Sequence, residues 1–381
     1  MNLKWKIPLY KIFTDKEDID SVTKVIRRGR DWAIGPEIIE FEKLLANYIG
    51  TKYCVAFNSG TSALHAALKA AKISKHDEII SPSFTFIATS NSALMVNAKP
   101  KFVDIEKDNL GLNPNDVENN IIKRTKAIIP VHYAGLPCKI EEISKLSKRK
   151  KLLLIEDAAE SLGSYVNQRM IGTFGDMAIF SFAGNKVLTT GEGGAIVTDS
   201  KQYFERLKLI RSHGRSENSN YFSSIDNPNY ISLGYNWRMS SITAALAISQ
   251  LHKLDKLIKL RRKNAHFMSS KLSKFSALKV PNEPIGTYHV FQLYSIILKT
   301  SKLRNELREF LTKKRIMTKI FFQPVHQTNF YKKQILKEKL CLDNTQSISS
   351  RILTIPMYPG LKRDELNYLC DSISEFMEKN S

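Results

Sequence analysis

Gly172-Thr-Phe-Gly-Asp-Met-Ala-Ile-Phe-Ser-Phe-Ala-Gly-Asn-Lys-Val-Leu-Thr-Thr-Gly-Glu-Gly-Gly194 is the stretch around which the chain is organised. The apolar run Met177 to Phe182 predicts a buried strand. A turn of small residues carrying one lysine, Lys186, follows it, and then a Gly-rich segment leads into a second strand over Ala195 to Thr198. Gly184 allows a ligand to approach the turn closely. A lysine just past a buried strand is partly desolvated, which is the context of a lysine that forms a Schiff base. With 58 Lys and Arg in the chain, a lone loop lysine is ordinarily a solvated surface charge, so the stretch needs support from elsewhere.

Leu152-Leu-Leu-Ile-Glu-Asp-Ala-Ala-Glu160 gives that support. A continuous apolar run ending in carboxylates is the pattern of a buried parallel strand with functional groups at its C-terminal edge. A carboxylate placed there, Asp157, suits the pyridine nitrogen of pyridoxal phosphate, which must stay protonated for the ring to act as an electron sink. A lysine suits the same cofactor's aldehyde. Acid and lysine together are the pair that this cofactor requires.

The 381 residues are enough for one large and one small domain, each with its own core. A hydrophobic content of 43% and a charged content of 25% fit a soluble globular protein. The start, Met1 to Tyr10, alternates lysine with apolar residues and carries no signal-peptide pattern, and no stretch approaches a membrane span. Cys54, Cys138, Cys341 and Cys370 show neither zinc-ligand spacing nor a disulfide framework, so a reducing cytoplasm and no metal are expected. The net charge of +21 raises nucleic-acid binding. The basic clusters Lys148 to Lys151, Arg261 to Lys263 and Lys313 to Arg315 lie in separate helical stretches without interleaved aromatics, which argues for solvated helix faces instead. A weaker inference is that the charge assists capture of a doubly anionic substrate.

Strand and helix alternate through the first half. Thr14-Asp-Lys-Glu17 reads as a capping box opening a helix to about Arg28, and a second helix runs from about Pro36 to Tyr48. Strand Tyr53 to Phe57 feeds Asn58-Ser-Gly-Thr-Ser62, a turn at a helix N-terminus that suits a phosphate or simply caps the helix. Glu78 to Ser81 feeds Pro82 to Thr89, where Phe84 or Phe86 could stack on a flat ring or pack in the core. Further strands are expected at Lys101 to Ile105, Ala127 to Val131 and Leu152 to Ile155. The whole predicts a parallel or mostly parallel sheet between helices. Ser212 to Pro228 reads as an active-site or interface loop, and one long helix from Ser240 to about Leu272 leads to a small α/β unit with strands near His289 to Leu298 and Lys319 to Phe322.

A family resemblance spans nearly the whole chain. It is carried by Trp32-Ala-Ile-Gly-Pro-Glu37, Ser59-Gly-Thr-Ser-Ala-Leu-His65, Pro82-Ser-Phe-Thr-Phe-Ile-Ala-Thr89, His132-Tyr-Ala-Gly-Leu-Pro-Cys138 and Glu156-Asp-Ala-Ala-Glu160. Gly184-Asn-Lys186 with Thr189-Thr-Gly-Glu-Gly-Gly194, and Gly234-Tyr-Asn-Trp-Arg-Met239, complete it in order. In these the chain resembles the sugar aminotransferases of the DegT/DnrJ/EryC1/StrS group, fold-type I enzymes that use pyridoxal phosphate.

The resemblance implies an α/β fold with a large cofactor-binding domain, residues 1–254, built on a mostly parallel seven-stranded sheet, and a small C-terminal domain, residues 255–381. It implies Lys186 as the lysine that holds the cofactor and shuttles protons, and Asp157 as the pyridinium partner. Gly60, Thr61 and Ser181 are implied as phosphate ligands, Phe86 as the stacking ring, and Glu160 as a group near the ring oxygen. Asn236 is implied as a phosphate contact from the neighbouring subunit of a homodimer with shared sites. His132, His326 and the 212–228 loop are expected near the substrate, with packing or surface roles as alternatives. The implied reaction moves an amino group from L-glutamate, which leaves as 2-oxoglutarate, to a keto group of a nucleotide-linked hexose. Gly-Asn-Lys followed by Thr-Thr-Gly-Glu-Gly-Gly favours C4 over C3. Ala183 departs from the bulkier residue common there. A regulator that kept the fold without turnover is the competing class.

Overall fold

The structure is a computed structural model that describes residues 4–216, 227–335 and 340–380. Its large sheet is built from β1 (Tyr53–Phe57), β2 (Glu78–Pro82), β3 (Lys99–Val103), β4 (Thr125–Ile128), β5 (Leu153–Asp157), β8 (Met177–Ser181) and β9 (Gly194–Thr198), while β6 (Tyr165–Val166) and β7 (Arg169–Met170) form a side hairpin. The seven strands lie in the order β1-β9-β8-β5-β4-β2-β3. From β3 across to β8 every pairing is parallel, and β9 runs antiparallel to both of its neighbours. The C-terminal ends of β1, β2, β5 and β8 therefore share one edge with the start of β9. Loops leaving that edge carry the chemistry, as in open α/β sheets generally.

Residues along each strand alternate between two apolar layers, because side chains in a strand alternate faces. Ala56, Ile80, Ile128, Leu154 and Phe180 pack with helices Pro36–Ile49, Ile140–Lys150 and Ser241–His252. Val55, Ile79, Ala127, Ile155 and Ile179 pack with helices Gly60–Ala70, Ile87–Met95 and Lys201–Arg211 on the other face.

The C-terminal unit is a three-stranded antiparallel sheet of β10 (Leu278–Lys279), β12 (Tyr294–Leu298) and β13 (Ile352–Ile355). Helices Leu254–Leu272, Ser301–Lys313 and Arg363–Lys379 cover it around a separate core. β11 (Thr287–Tyr288) returns to pair with β6.

Several expectations shift. The first helix, Lys16–Arg27, is capped by Asp15 in a reciprocal box with Asp18, one residue later than the Thr14 pattern implied. Ser240 to Leu272 is two helices broken at Lys253, whose buried ammonium turns back onto Asp15 and Asp18. Lys319 to Phe322 forms no strand, only a bridge from Lys319 to Thr354. Ile7 is buried in the C-terminal core and pairs with Ile316, so the start of the chain packs across the boundary drawn at 254.

Candidate active site

β5 delivers Asp157 to the functional edge, buried, where the Thr89 hydroxyl donates to it at 2.7 Å and the Ala159 amide at 3.2 Å. Burial raises its pKa above the ordinary carboxylate range, against the pull of those donors and of nearby Lys186. Thr89 stands in the first turn of Ile87–Met95 and meets the Thr85 hydroxyl at 2.9 Å.

Lys186 follows β8 in a turn closed by its own amide on the Ala183 carbonyl at 2.9 Å and by a bridge between Ala183 and Gly191. Gly191 takes φ +83°, a left-handed geometry that suits glycine. The Lys186 ammonium lies 3.3 Å from Glu160 Oε1, and the Ala134 amide donates to Glu160 Oε2 at 2.8 Å. Asp157 feels the charges of both Lys186 and Glu160, so the three groups lie near one another at the sheet edge.

The expected phosphate site lies where a helix starts against the sheet edge. Gly60 opens helix Gly60–Ala70, with Ser59 as N-cap accepting from the Ser62 amide at 3.1 Å. First-turn amides at Gly60 and Thr61 have no carbonyl in their own helix to meet and face outward with the positive end of the dipole. A Cβ on Gly60 would sit 3.0 Å from Ser181 Cβ, and one on Gly194 would sit 2.6 Å from the Gly60 nitrogen. The two glycines thus let the helix start press against β8 and β9, leaving amides and the Ser181 hydroxyl beside one another. That donor set fits a phosphate.

Of the two phenylalanines, Phe84 is 0% exposed and packs on Tyr133, whereas Phe86 is 59% exposed and its ring is available for stacking. Asn236 sits between Tyr235 and Trp237, which stack on each other at 3.9 Å against His65, and its backbone bridges Ser212. In an extended segment its side chain leaves on the opposite side from theirs. His326 is tied to the β2 loop. Its amide donates to Ser83 Oγ at 3.0 Å, and the same hydroxyl shares a hydrogen bond of 2.7 Å with the ring Nδ1. Burial and Lys332 keep that ring neutral by lowering its pKa.

His132 is not at the site's surface. It is fully buried, its Nδ1 accepts the Cys138 amide at 3.2 Å, and its Nε2 donates to Glu156 Oε2 at 3.3 Å. Both nitrogens are spent on packing, so it offers nothing to a substrate. Most of the 212–228 loop, residues 217–226, lies outside the described residues. Thr89 and Ala134 were not singled out from the sequence. Thr89 closes a quoted motif, three residues after Phe86, which places it one helical turn on, whereas nothing local marks Ala134, whose φ of 59° presents its amide to Glu160. Among the described residues no group of three His, Cys, Asp or Glu could hold a metal, and no helix is long and apolar enough to cross a membrane.

Known proteins share this chain's fold and family. The family model described as DegT/DnrJ/EryC1/StrS aminotransferase family matches residues 13–374. The chain is 34% identical over 370 residues to GDP-perosamine synthase of Escherichia coli O157:H7, covering 97% of this chain and 98% of the relative. It is 33% identical to UDP-4-amino-4,6-dideoxy-N-acetyl-beta-L-altrosamine transaminase of Campylobacter jejuni, covering 96% of each. Among solved structures, Helicobacter pylori PseC, an aminotransferase involved in the biosynthesis of pseudoaminic acid, superposes with a TM-score of 0.92 at 27% identity, over 98% of this chain and 99% of that one. A lysine and a buried carboxylate at the sheet edge, beside a glycine-built anion cradle, thus stand in a chain that belongs to the DegT/DnrJ/EryC1/StrS aminotransferase family, whose members depend on pyridoxal phosphate.

Proposed function

We propose that the protein transfers an amino group from L-glutamate to the C4 keto carbon of a nucleotide-linked deoxyhexose, for amino-sugar and surface-glycan synthesis, and that it works as a homodimer with shared sites. The observation that carries the reading is that Lys186 and Asp157 come near one another at the sheet edge that also carries the close approach of Gly60 and Ser181. The C4 position is supported by the name of one relative, a 4-amino-4,6-dideoxy sugar transaminase.

Pyridoxal phosphate, when bound, supplies an aldehyde to capture the amine and a ring to delocalise the electron pair left at carbon. The residues do the rest. Gly60 and Thr61 amides with the Ser181 hydroxyl would hold the phosphate. Phe86 would stack on the ring. Asp157 would accept from the ring nitrogen and keep its proton in place, and Thr89 aims that carboxylate. The Lys186 amine takes the proton from the donor's α-carbon and later returns one to the sugar carbon, acting as base and then acid. Nitrogen leaves glutamate as one water supplies the keto oxygen of departing 2-oxoglutarate, and the keto oxygen of the sugar leaves as one water when that nitrogen joins its carbon. Glu160 holds Lys186 while its amine is unbound. Asn236 reaches the phosphate of the neighbouring subunit's site.

The test is the absorbance spectrum of the protein reconstituted with pyridoxal phosphate, wild type against Lys186→Ala, before and after L-glutamate. A visible band that needs Lys186 and is discharged by glutamate is expected, with turnover lost about 10⁵-fold in the variant. A wild type without such a band favours the non-catalytic regulator. Products from 4-keto and 3-keto sugar nucleotides, compared by nuclear magnetic resonance, decide the carbon.

A further inference from the structure

The segment 289–293, which leads into β12, reaches Lys186 by two separate routes. Along one, the Leu293 amide donates to the Ala134 carbonyl at 3.2 Å, the Ala134 amide donates to Glu160 Oε2 at 2.8 Å, and Glu160 Oε1 meets the Lys186 ammonium at 3.3 Å. Along the other, Gln292 Nε2 donates to the carbonyl of Asn185, the residue before Lys186, at 2.6 Å. The routes close a ring that holds the lysine by its head and by its backbone. The segment is itself anchored, because buried Arg261 donates to the carbonyls of Phe291, Gln292 and Met357, each at 3.3 Å. Gly135 permits the approach, since a Cβ there would lie 2.5 Å from Val290 Cγ2 and 3.1 Å from the Gln292 nitrogen.

The two holds are not equivalent in the reaction. The Glu160 contact needs a free ammonium on Lys186 and would be given up while that nitrogen is joined to a cofactor. What remains is the backbone hold. Packing anchors the far side of the turn, where Val187 and Leu188 are buried in the large core, but not the near side, where a Cβ on Gly184 would have its nearest neighbour 4.0 Å away. Gln292 is 2% exposed and its Oε1 has no partner among the described residues, a cost of burial that makes sense if the donor end is the one in use.

Building on the aminotransferase reading, we propose that Gln292 is a positioning residue that fixes the turn carrying Lys186, so that the freed amine returns to the same place between its two proton transfers. A displacement of about 1 Å at a distance from the chemistry costs on the order of 10²-fold in rate.

The experiment uses the reconstituted full-length enzyme with Gln292→Met and Gln292→Glu, both of similar size and both without the donor. The expected result is a kcat lower by about 10- to 100-fold, a KM for L-glutamate within about twofold of wild type, and a shifted pH midpoint of the visible lysine–cofactor band. Wild-type kcat and midpoint in either folded variant overturn the proposal. So does a lower kcat with an unmoved midpoint and thermal unfolding lowered in proportion. Hydrogen exchange of the wild type alone gives a second test: residues 183–191 and 289–293 are expected to open together in mild denaturant, and independent opening overturns the proposal. A wild type lacking any band abolished by Lys186→Ala would instead sink the aminotransferase reading, which separates the two failures.

Discussion

Glu156 and Asp157 are adjacent carboxylates at the end of one buried strand, and they face opposite sides of it. Glu156 looks into the layer of helix Ile140–Lys150. There it accepts the Gly172 amide at 3.0 Å, the Phe174 and Gly175 amides at 2.8 Å each, and His132 at 3.3 Å. Its hydrogen-bonding capacity is used up, and it pins the turn that starts β8. Asp157 accepts one hydroxyl and one amide and lies beside Lys186. An ionised carboxylate has about four acceptor sites, so Asp157 keeps capacity for a further donor. Two identical chemical groups on neighbouring residues therefore hold structure in one case and offer a site in the other, and saturation makes the difference.

The largest effect expected to sharpen this contrast is on turnover. Asp157→Asn is expected to lower kcat by about 10²–10³-fold, the range for removing one electrostatic partner of the reacting group, with the protein still folded by circular dichroism. Glu156→Gln is expected to do the reverse. It leaves buried amides short of an acceptor and lowers stability in urea by about 2–4 kcal/mol, while activity per folded molecule stays within about tenfold. If the two variants gave the same pattern, the contrast would fail.

Acid–base linkage gives a third outcome. Burial raises the Asp157 pKa in the fold, so the apoprotein binds that proton more tightly than the unfolded chain does. Its contribution is full below the ordinary carboxylate value of about 3.9 and is lost as pH rises through the raised value. Asp157→Asn is therefore expected to make apoprotein stability fall less steeply with rising pH across that window, measured by urea titration at several pH values. An unchanged slope would mean that Asp157 does not titrate as its burial demands. The smallest effect belongs to Thr89→Val, which removes the 2.7 Å donor to Asp157. It is expected to cost about 1 kcal/mol, or about fivefold in kcat/KM.

How much was legible beforehand follows from what kind of signal each residue left. Lys186 and Asp157 are marked by local pattern, a strand run ending in the group that matters, and the structure brings them together. Alternation of strand and helix gave the layered sheet, because periodicity is a direct consequence of burying one face. The break at Lys253 was not legible, since the stretch has no proline or glycine there. It arises where a lysine folds back onto Asp15 and Asp18 from another part of the chain. His132 stood in a motif, yet its ring is enclosed by Glu156 and Cys138, and a motif does not say which way a side chain faces.

By itself the sequence determined most of the elements, their order along the chain, and the residue types that end the strands. These depend on short-range backbone preferences and on the spacing of apolar side chains, both of which are written locally. The tertiary structure alone decided which of two adjacent carboxylates is saturated, which of two phenylalanines is exposed, and that Gln292, more than a hundred positions from Lys186 in the chain, holds the lysine's turn. Each of those is a contact between segments distant in sequence. Hydrogen-bond saturation and burial are sums over such contacts, and no local pattern carries them.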